Sequence, residues 1–235
     1  MRILAVETTA TAASCCVTED GRVCGRFAVN AGLTHSRTLL PMVEQTLAGC
    51  GLTPADIDLF AVAAGPGSFT GVRIGVAAVK GLALPADKPC AGVSTLAAMA
   101  RLWEDIPMTA TVCAVMDARC QQVYTALFAV ADGAVTRQTP DEAISLEVLR
   151  SRLEAINGPV VLVGDGAALC AEAFADLPHV RLAPPALRMQ DAVGVAREAA
   201  HVQPMPAREL LPVYLRVPQA ERELRARLAA EQGKQ

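Results

Sequence analysis

One succession of elements occurs twice along this chain, and it restricts the fold more than any single residue does. In the first hundred residues, apolar runs at 2–7, 13–18 and 22–29 predict three strands, with a short turn at Glu19-Asp20-Gly21 joining the last two. A helix is predicted at 36–49, where Leu39, Leu40, Val43 and Leu47 share a face, Pro41 lies near the start and Gly49 or Gly51 ends it. Then come a strand at 58–64, a helix at 70–84 closed by Pro85, a strand at 91–93, and a helix at 95–102 with Ser94 in the capping position. The order begins again with strands at 111–117, 121–130 and 134–137, and Asp132-Gly133 as the hairpin turn. A helix at 146–156, a buried strand at 160–163, the loop Gly164-Asp165-Gly166 and helices at 167–174 and 191–201 follow. Strands interleaved with helices require an α/β architecture, and the doubled order predicts two lobes. The expected division is a first lobe over residues 1–105 and a second over 106–218. The helix near 191–201 is a candidate to pack on the first lobe. A tail, 219–235, carries an amphipathic helix at 220–231 with Glu221–Arg225 and Glu223–Arg227 pairs.

Composition narrows the function classes. Of the 235 residues 52% are hydrophobic and 19% charged, which excludes a disordered chain. No uninterrupted apolar run reaches the roughly 18 residues of a membrane helix; the longest, 72–85, is broken by Arg73 and Lys80. The apolar run before Glu7 is too short for a secretory signal, so the chain reads as cytoplasmic, with no membrane partner. The net charge is −3, there are one Trp and two Tyr, and no Lys/Arg cluster stands out. A single-strand nucleic-acid binder needs a basic groove and stacking rings, so strong RNA binding by this chain alone is not expected. The eight cysteines contain no Cys-x-x-Cys pair and read as reduced, mostly buried apolar side chains. Cys15 and Cys16, adjacent on a strand, should point to opposite faces.

The residues that could carry chemistry are few. Ala63-Ala64-Gly65-Pro66-Gly67-Ser68-Phe69-Thr70-Gly71 joins a strand to a helix. Gly65, Gly67 and Ser68 there suit either an anion at the helix N-terminus or a tight turn with close helix packing. The segment lacks the Lys-Ser/Thr end of a P-loop. Glu7 and Asp117 end the first strand of each half; they could face one another across a cleft around a metal–nucleotide, or cap local turns. His35, His179 and His201 are far apart and form no metal-binding pair, and no Gly-x-Ser-x-Gly elbow occurs. These residues describe a two-lobed α/β protein with a candidate anion loop and no recognisable catalytic centre.

Gly65-Pro66-Gly67-Ser68-Phe69-Thr70-Gly71-Val72-Arg73-Ile74-Gly75 resembles the signature of the TsaB family, also called YeaZ. Leu4-Ala5-Val6-Glu7-Thr8, His35-Ser36 with Leu39-Leu40-Pro41, Asp117-Ala118-Arg119 with Val123-Tyr124, and Pro212-Val213-Tyr214-Leu215-Arg216 agree with it. Glu7 departs from the Asp commoner in that family. The resemblance implies a duplicated ribonuclease H-like fold of the sugar kinase, chaperone and actin superfamily (ASKHA). It also implies a non-catalytic subunit of the complex that transfers a threonylcarbamoyl group to adenosine 37 of tRNAs reading ANN codons. The implied partners are the catalytic paralogue TsaD and the ATPase TsaE, with a homodimer when alone and tRNA reached only through the complex. No cofactor of its own is implied, and nucleotide binding would be weak. The paralogue's His-x-x-x-His metal pair falls here on Thr95 and Met99, neither a ligand for a hard metal. The alternatives are a metal-dependent glycoprotease-like peptidase and an ATP-dependent small-molecule kinase of the same fold.

The helix at 70–84 sorts into stripes. Val72, Val76, Val79 and Ala83 form a bulky stripe for the core; Gly71, Gly75, Ala78 and Leu82 form one of small residues. Two glycines inside a helix each cost about 1 kcal/mol relative to Ala. Combined with the resemblance, this places the expected partner interface on the small stripe and on the neighbouring Leu39, Val43 and Leu47.

Overall fold

The computed structural model describes residues 1–216; the expected tail helix at 220–231 lies outside them. The first lobe runs β1 (Arg2–Glu7), β2 (Ala13–Glu19), β3 (Arg22–Val29), α1 (His35–Gly49), β4 (Leu59–Gly65), α2 (Phe69–Ala83), β5 (Pro89–Ser94) and α3 (Thr95–Arg101). The second runs β6 (Ala110–Asp117), β7 (Gln122–Ala131), β8 (Ala134–Arg137), β9 (Glu142–Ser145), α4 (Leu146–Glu154), β10 (Val160–Val163), α5 (Ala167–Ala173) and β11 (Val180–Leu182). It closes with α6 (Pro185–Arg188), α7 (Ala192–Ala199) and β12 (Met205–Pro206).

The two sheets share one topology. The first is ordered β12-β5-β4-β1-β2-β3, and the second β11-β10-β6-β7-β8, with β9 also paired to β7. In each, the opening strand is antiparallel to the second strand and parallel to the strand that follows the half's first helix: β1 with β2 and β4, β6 with β7 and β10. This is the duplicated, two-lobed ribonuclease H-like fold of the ASKHA class. Strands β9, β11 and β12 are additions to the sequence reading. They have two to four residues, too few for a period-2 signal to register.

Alternation along β1 sets the layers. Leu4 and Val6 face α1 and α2 in one core, whereas Ile3 and Ala5 face α7 in another. Cys15 and Cys16 divide in the same way. The second sheet buries Val115, Leu127 and Leu162 under α4 and α5. Its other face, through Val112, Ala114 and Phe128, meets Leu96, Met99 and Trp103 on and just after α3. Helices α3 and α7 therefore lie between the sheets, and at Gly194 a Cβ would come within 2.0 Å of the Ala98 carbonyl oxygen. Arg101 on α3 pairs with Glu198 on α7 at 2.7 Å. From α7 onward the chain returns to the first lobe: α7 packs on its sheet and β12 extends its edge beyond β5.

The stretch Phe69–Ala86 is long and apolar enough to cross a membrane by length and composition alone. Val72, Val76, Val79 and Ala83 are nevertheless buried in the first core, each such burial contributing about 1.5–3 kcal/mol for the larger side chains. Lys80 on the same helix donates to the carbonyls of Arg208 and Leu210, both at 3.1 Å.

Candidate functional site

A cleft of about 510 Å³ opens where the two lobes meet. Its first-lobe wall is the turn after β1 (Thr9–Thr11) and the loop from Pro66 into α2; its second-lobe wall holds Asp117, Arg119, Tyr124 and Asp165. The segment 213–216 closes one side. Two loops thus meet there that follow the equivalent strands β4 and β10 of the two halves: Gly65-Pro66-Gly67-Ser68 and Gly164-Asp165-Gly166.

The two strand-end acids behave alike locally. Glu7 accepts from the Thr9 backbone N–H, and Asp117 accepts from that of Arg119 at 2.7 Å. Each caps its own turn, as carboxylates two residues upstream of an amide do. They differ in surroundings. Asp117 is half-exposed and lines the cleft. Glu7 is 1% exposed, with Oε2 unpartnered, and does not line the cleft. Burial, chiefly, pushes the Glu7 carboxyl up to about 7; the Thr9 bonds oppose that rise, and the charges of Asp191 and Asp165 add to it. Burial also raises Asp165, against a bond from Gln190 Nε2 at 3.0 Å.

The glycine-rich loop is packed against the chain's own backbone. A Cβ on Gly65 would lie 2.2 Å from the Val213 carbonyl oxygen, and one on Gly67 would lie 2.6 Å from Thr9 Cβ. Ser68 caps α2 by accepting from Gly71 N–H at 3.3 Å, and Ser68 N–H donates to Thr9 O at 2.7 Å. The C-terminal motif locks onto this loop: Val213 N–H donates to Ala64 O at 2.7 Å, and Tyr214 stacks on Phe69 at 4.5 Å. Arg73 Nε donates to the Tyr214 hydroxyl at 2.9 Å, and Arg216 reaches across to the carbonyl of Ala118 in the second lobe. Glycine here permits close approach of segments about 150 residues apart.

The expected interface residues require a correction. Leu39, Val43 and Leu47 are 1%, 2% and 4% exposed and belong to the first core. Gly71 and Gly75 face inward: a Cβ on Gly71 would lie 2.0 Å from Thr8 O, and one on Gly75 would lie 2.5 Å from Thr8 Oγ1. Only Ala78 and Leu82 of that set are half-exposed. Apolar periodicity marked the face that packs on the sheet, and small residues marked where α2 passes close to the end of β1. The outward faces of α1 and α2 instead carry Leu40, Pro41, Ala77 and Gly81, with Leu84 just beyond α2; Leu40 and Leu84 are 51% and 54% exposed.

The histidines serve three separate places. His35 bonds Ala10 O at 2.7 Å, His179 bonds Leu153 O at 2.9 Å, and His201 lies 3.8 Å from Glu104. Among the described residues no group of three His, Cys, Asp or Glu side chains converges on a metal site. Thr9, Tyr124, Asp165 and Tyr214 were not singled out as site residues from the sequence. The signal for Asp165 was the loop's position after β10, the counterpart of β4.

Comparison with known proteins agrees with this architecture. The family model described as "TsaD: tRNA N6-adenosine threonylcarbamoyltransferase" matches residues 29–218. The tRNA threonylcarbamoyladenosine biosynthesis protein TsaB of Escherichia coli (strain K12) is 39% identical over 71% of this chain and 72% of its own. The protein of the same name from Bacillus subtilis (strain 168) is 32% identical over 75% and 76%. The solved structure of YeaZ from Pseudomonas aeruginosa superposes with a TM-score of 0.75 at 26% identity, over 91% of this chain and 99% of that one. On its sequence, its doubled topology and these relationships, the chain belongs to the TsaB (YeaZ) family, within the wider family described by the TsaD model.

Proposed function

We propose that this chain is the non-catalytic subunit of the complex that places a threonylcarbamoyl group on adenosine 37 of tRNAs reading ANN codons, where it binds and supports TsaD. The relatives' names support a role in threonylcarbamoyladenosine biosynthesis. The observation that carries the non-catalytic reading is the start of α3. Thr95 and Met99, at the positions of the paralogue's metal-binding histidines, are both buried, Met99 in the apolar cluster that includes Trp103. A hydroxyl and a thioether there suit no hard catalytic metal.

TsaD docks on the outward faces of α1 and α2, which cover the same side of the first sheet and form one surface. TsaE joins that pair, and without TsaD the same face meets a second copy of the chain, as self-complementary surfaces can. With a net charge of −3, tRNA is held through the complex rather than by this subunit alone. The chain carries no cofactor of its own. Nucleotide binding in the cleft is weak, because the Ser68 N–H is already given to Thr9 O and the loop lacks the Lys-Ser/Thr end of a phosphate-binding loop.

The test supplies purified chain with the threonylcarbamoyl-adenylate donor, substrate tRNA and added iron or zinc. No transfer is expected until TsaD is added, and the two should co-purify. Turnover by the chain alone would overturn the proposal.

A further inference from the structure

Eight cysteines are scattered through the sequence without a metal-binding or redox spacing, yet the fold brings two of them to one surface depression. Between β2 and β3 the register passes from Val17 opposite Gly25 to Thr18 opposite Val23, so Cys24 is an extra, unpaired residue. A bulge of this kind re-aims a side chain. Cys24 consequently packs on the α1 side of the sheet, the side Gly25 also faces. Cys50, the residue that ends α1, comes from the opposite direction. Its Sγ lies 2.6 Å from where a Cβ on Gly25 would stand, so the missing side chain at 25 admits the sulfur. Cys24 and Cys50 are both half-exposed, whereas Cys15, Cys16, Cys90, Cys113 and Cys170 are buried. The two thiols share a depression of about 270 Å³ with Arg2, Glu19, Arg22 and Leu52.

We propose that Cys24 and Cys50 form a surface dithiol that is oxidised to a disulfide by an anionic low-molecular-weight disulfide of the glutathione type. Arg22, which lines the depression with its side chain 71% exposed, supplies a cation that can meet an anionic oxidant. The Cys24 thiolate attacks one sulfur of the small disulfide, forms a mixed disulfide and expels one small thiol. The Cys50 thiolate then attacks the Cys24 sulfur, closes the protein disulfide and expels the second small thiol. The protein loses two electrons and two thiol protons, and the small disulfide becomes two thiols. The order fits the surroundings, since burial and the neighbouring Cys24 push the Cys50 thiol up, which suits Cys50 to the second step. The bridge would tie the edge strand β3 to the end of α1 and enclose the whole of that helix.

The test uses the full chain carrying Cys120→Ser, which removes the exposed cysteine. It is incubated with glutathione disulfide, alkylated, digested and mapped by mass spectrometry. The expected result is loss of two alkylatable thiols, a peptide pair joined through Cys24 and Cys50, and recovery of both thiols with dithiothreitol. Adding Cys50→Ser should trap one glutathione on Cys24. The proposal is overturned if both thiols remain alkylatable, if another pair is joined, or if Cys24 keeps glutathione as stably with Cys50 present as without it. The mapping of the Cys120→Ser chain decides the matter even where the second substitution impairs folding.

Discussion

Two glycines of one helix should respond to the same substitution with opposite signs. At Gly71, a Cβ would sit 2.0 Å from the Thr8 carbonyl oxygen and 3.2 Å from its carbon. A comfortable C···O approach is about 3.3 Å, so α2 or the end of β1 must shift by more than about 1 Å. Thr8 sits immediately after β1, and its hydroxyl also donates to Gly71 O at 2.8 Å in a buried bond. Overpacking against backbone belongs at the upper end of the usual range, about 3 kcal/mol, and disrupting the bond adds about 1 kcal/mol. The helix preference of Ala over Gly returns about 1 kcal/mol. Gly71→Ala should therefore destabilise by about 3 kcal/mol net, lowering Tm by roughly 6–12 °C in a chain of this size. Gly81, nearly three turns on, is exposed and has nothing within 4 Å of a Cβ. Gly81→Ala should stabilise by about 0.5–1 kcal/mol and raise Tm by about 1–4 °C. Thermal unfolding followed by circular dichroism reads both. A neutral or stabilised Gly71→Ala chain would refute the claim that the small stripe exists for internal packing.

Three further outcomes are expected. Glu7 should make stability fall as pH rises from about 4.5 to about 7, because its carboxyl is raised to about 7 in the fold and the unfolded chain releases that proton first; the limb spans about 3 kcal/mol, and Glu7→Gln should abolish it in denaturant titrations across that range. Leu40→Arg, on the outward face of α1, should end co-purification with TsaD while moving Tm by less than about 2 °C; retained binding would place the interface elsewhere. Alkylation during lysis of unstressed cells should find all eight cysteines reduced, and a stoichiometric disulfide would show that the compartment was misread.

The sequence by itself determined the doubled order of elements, because strand alternation and helix periodicity are local properties of side-chain spacing. Ser94 was legible in the same local way: it caps the helix that follows it, accepting from Ala97. The residues of the Gly65 loop were legible as glycine-rich, but their reason was not. Gly65 answers to Val213 and Gly194 to Ala98, contacts made by segments about 150 and about 100 residues apart in the chain. The apolar stripe of α1 was ambiguous because a helix face that packs on its own sheet and one that docks on a partner show the same apolar pattern. Burial distinguishes them: it put Leu39 inside and left Leu40 out. Tertiary structure alone decided that the segment 213–216 closes on the Gly65 loop, and that the Glu7 carboxyl meets almost no water. Both depend on which surfaces face one another once the lobes close, and residue spacing along a chain does not encode that.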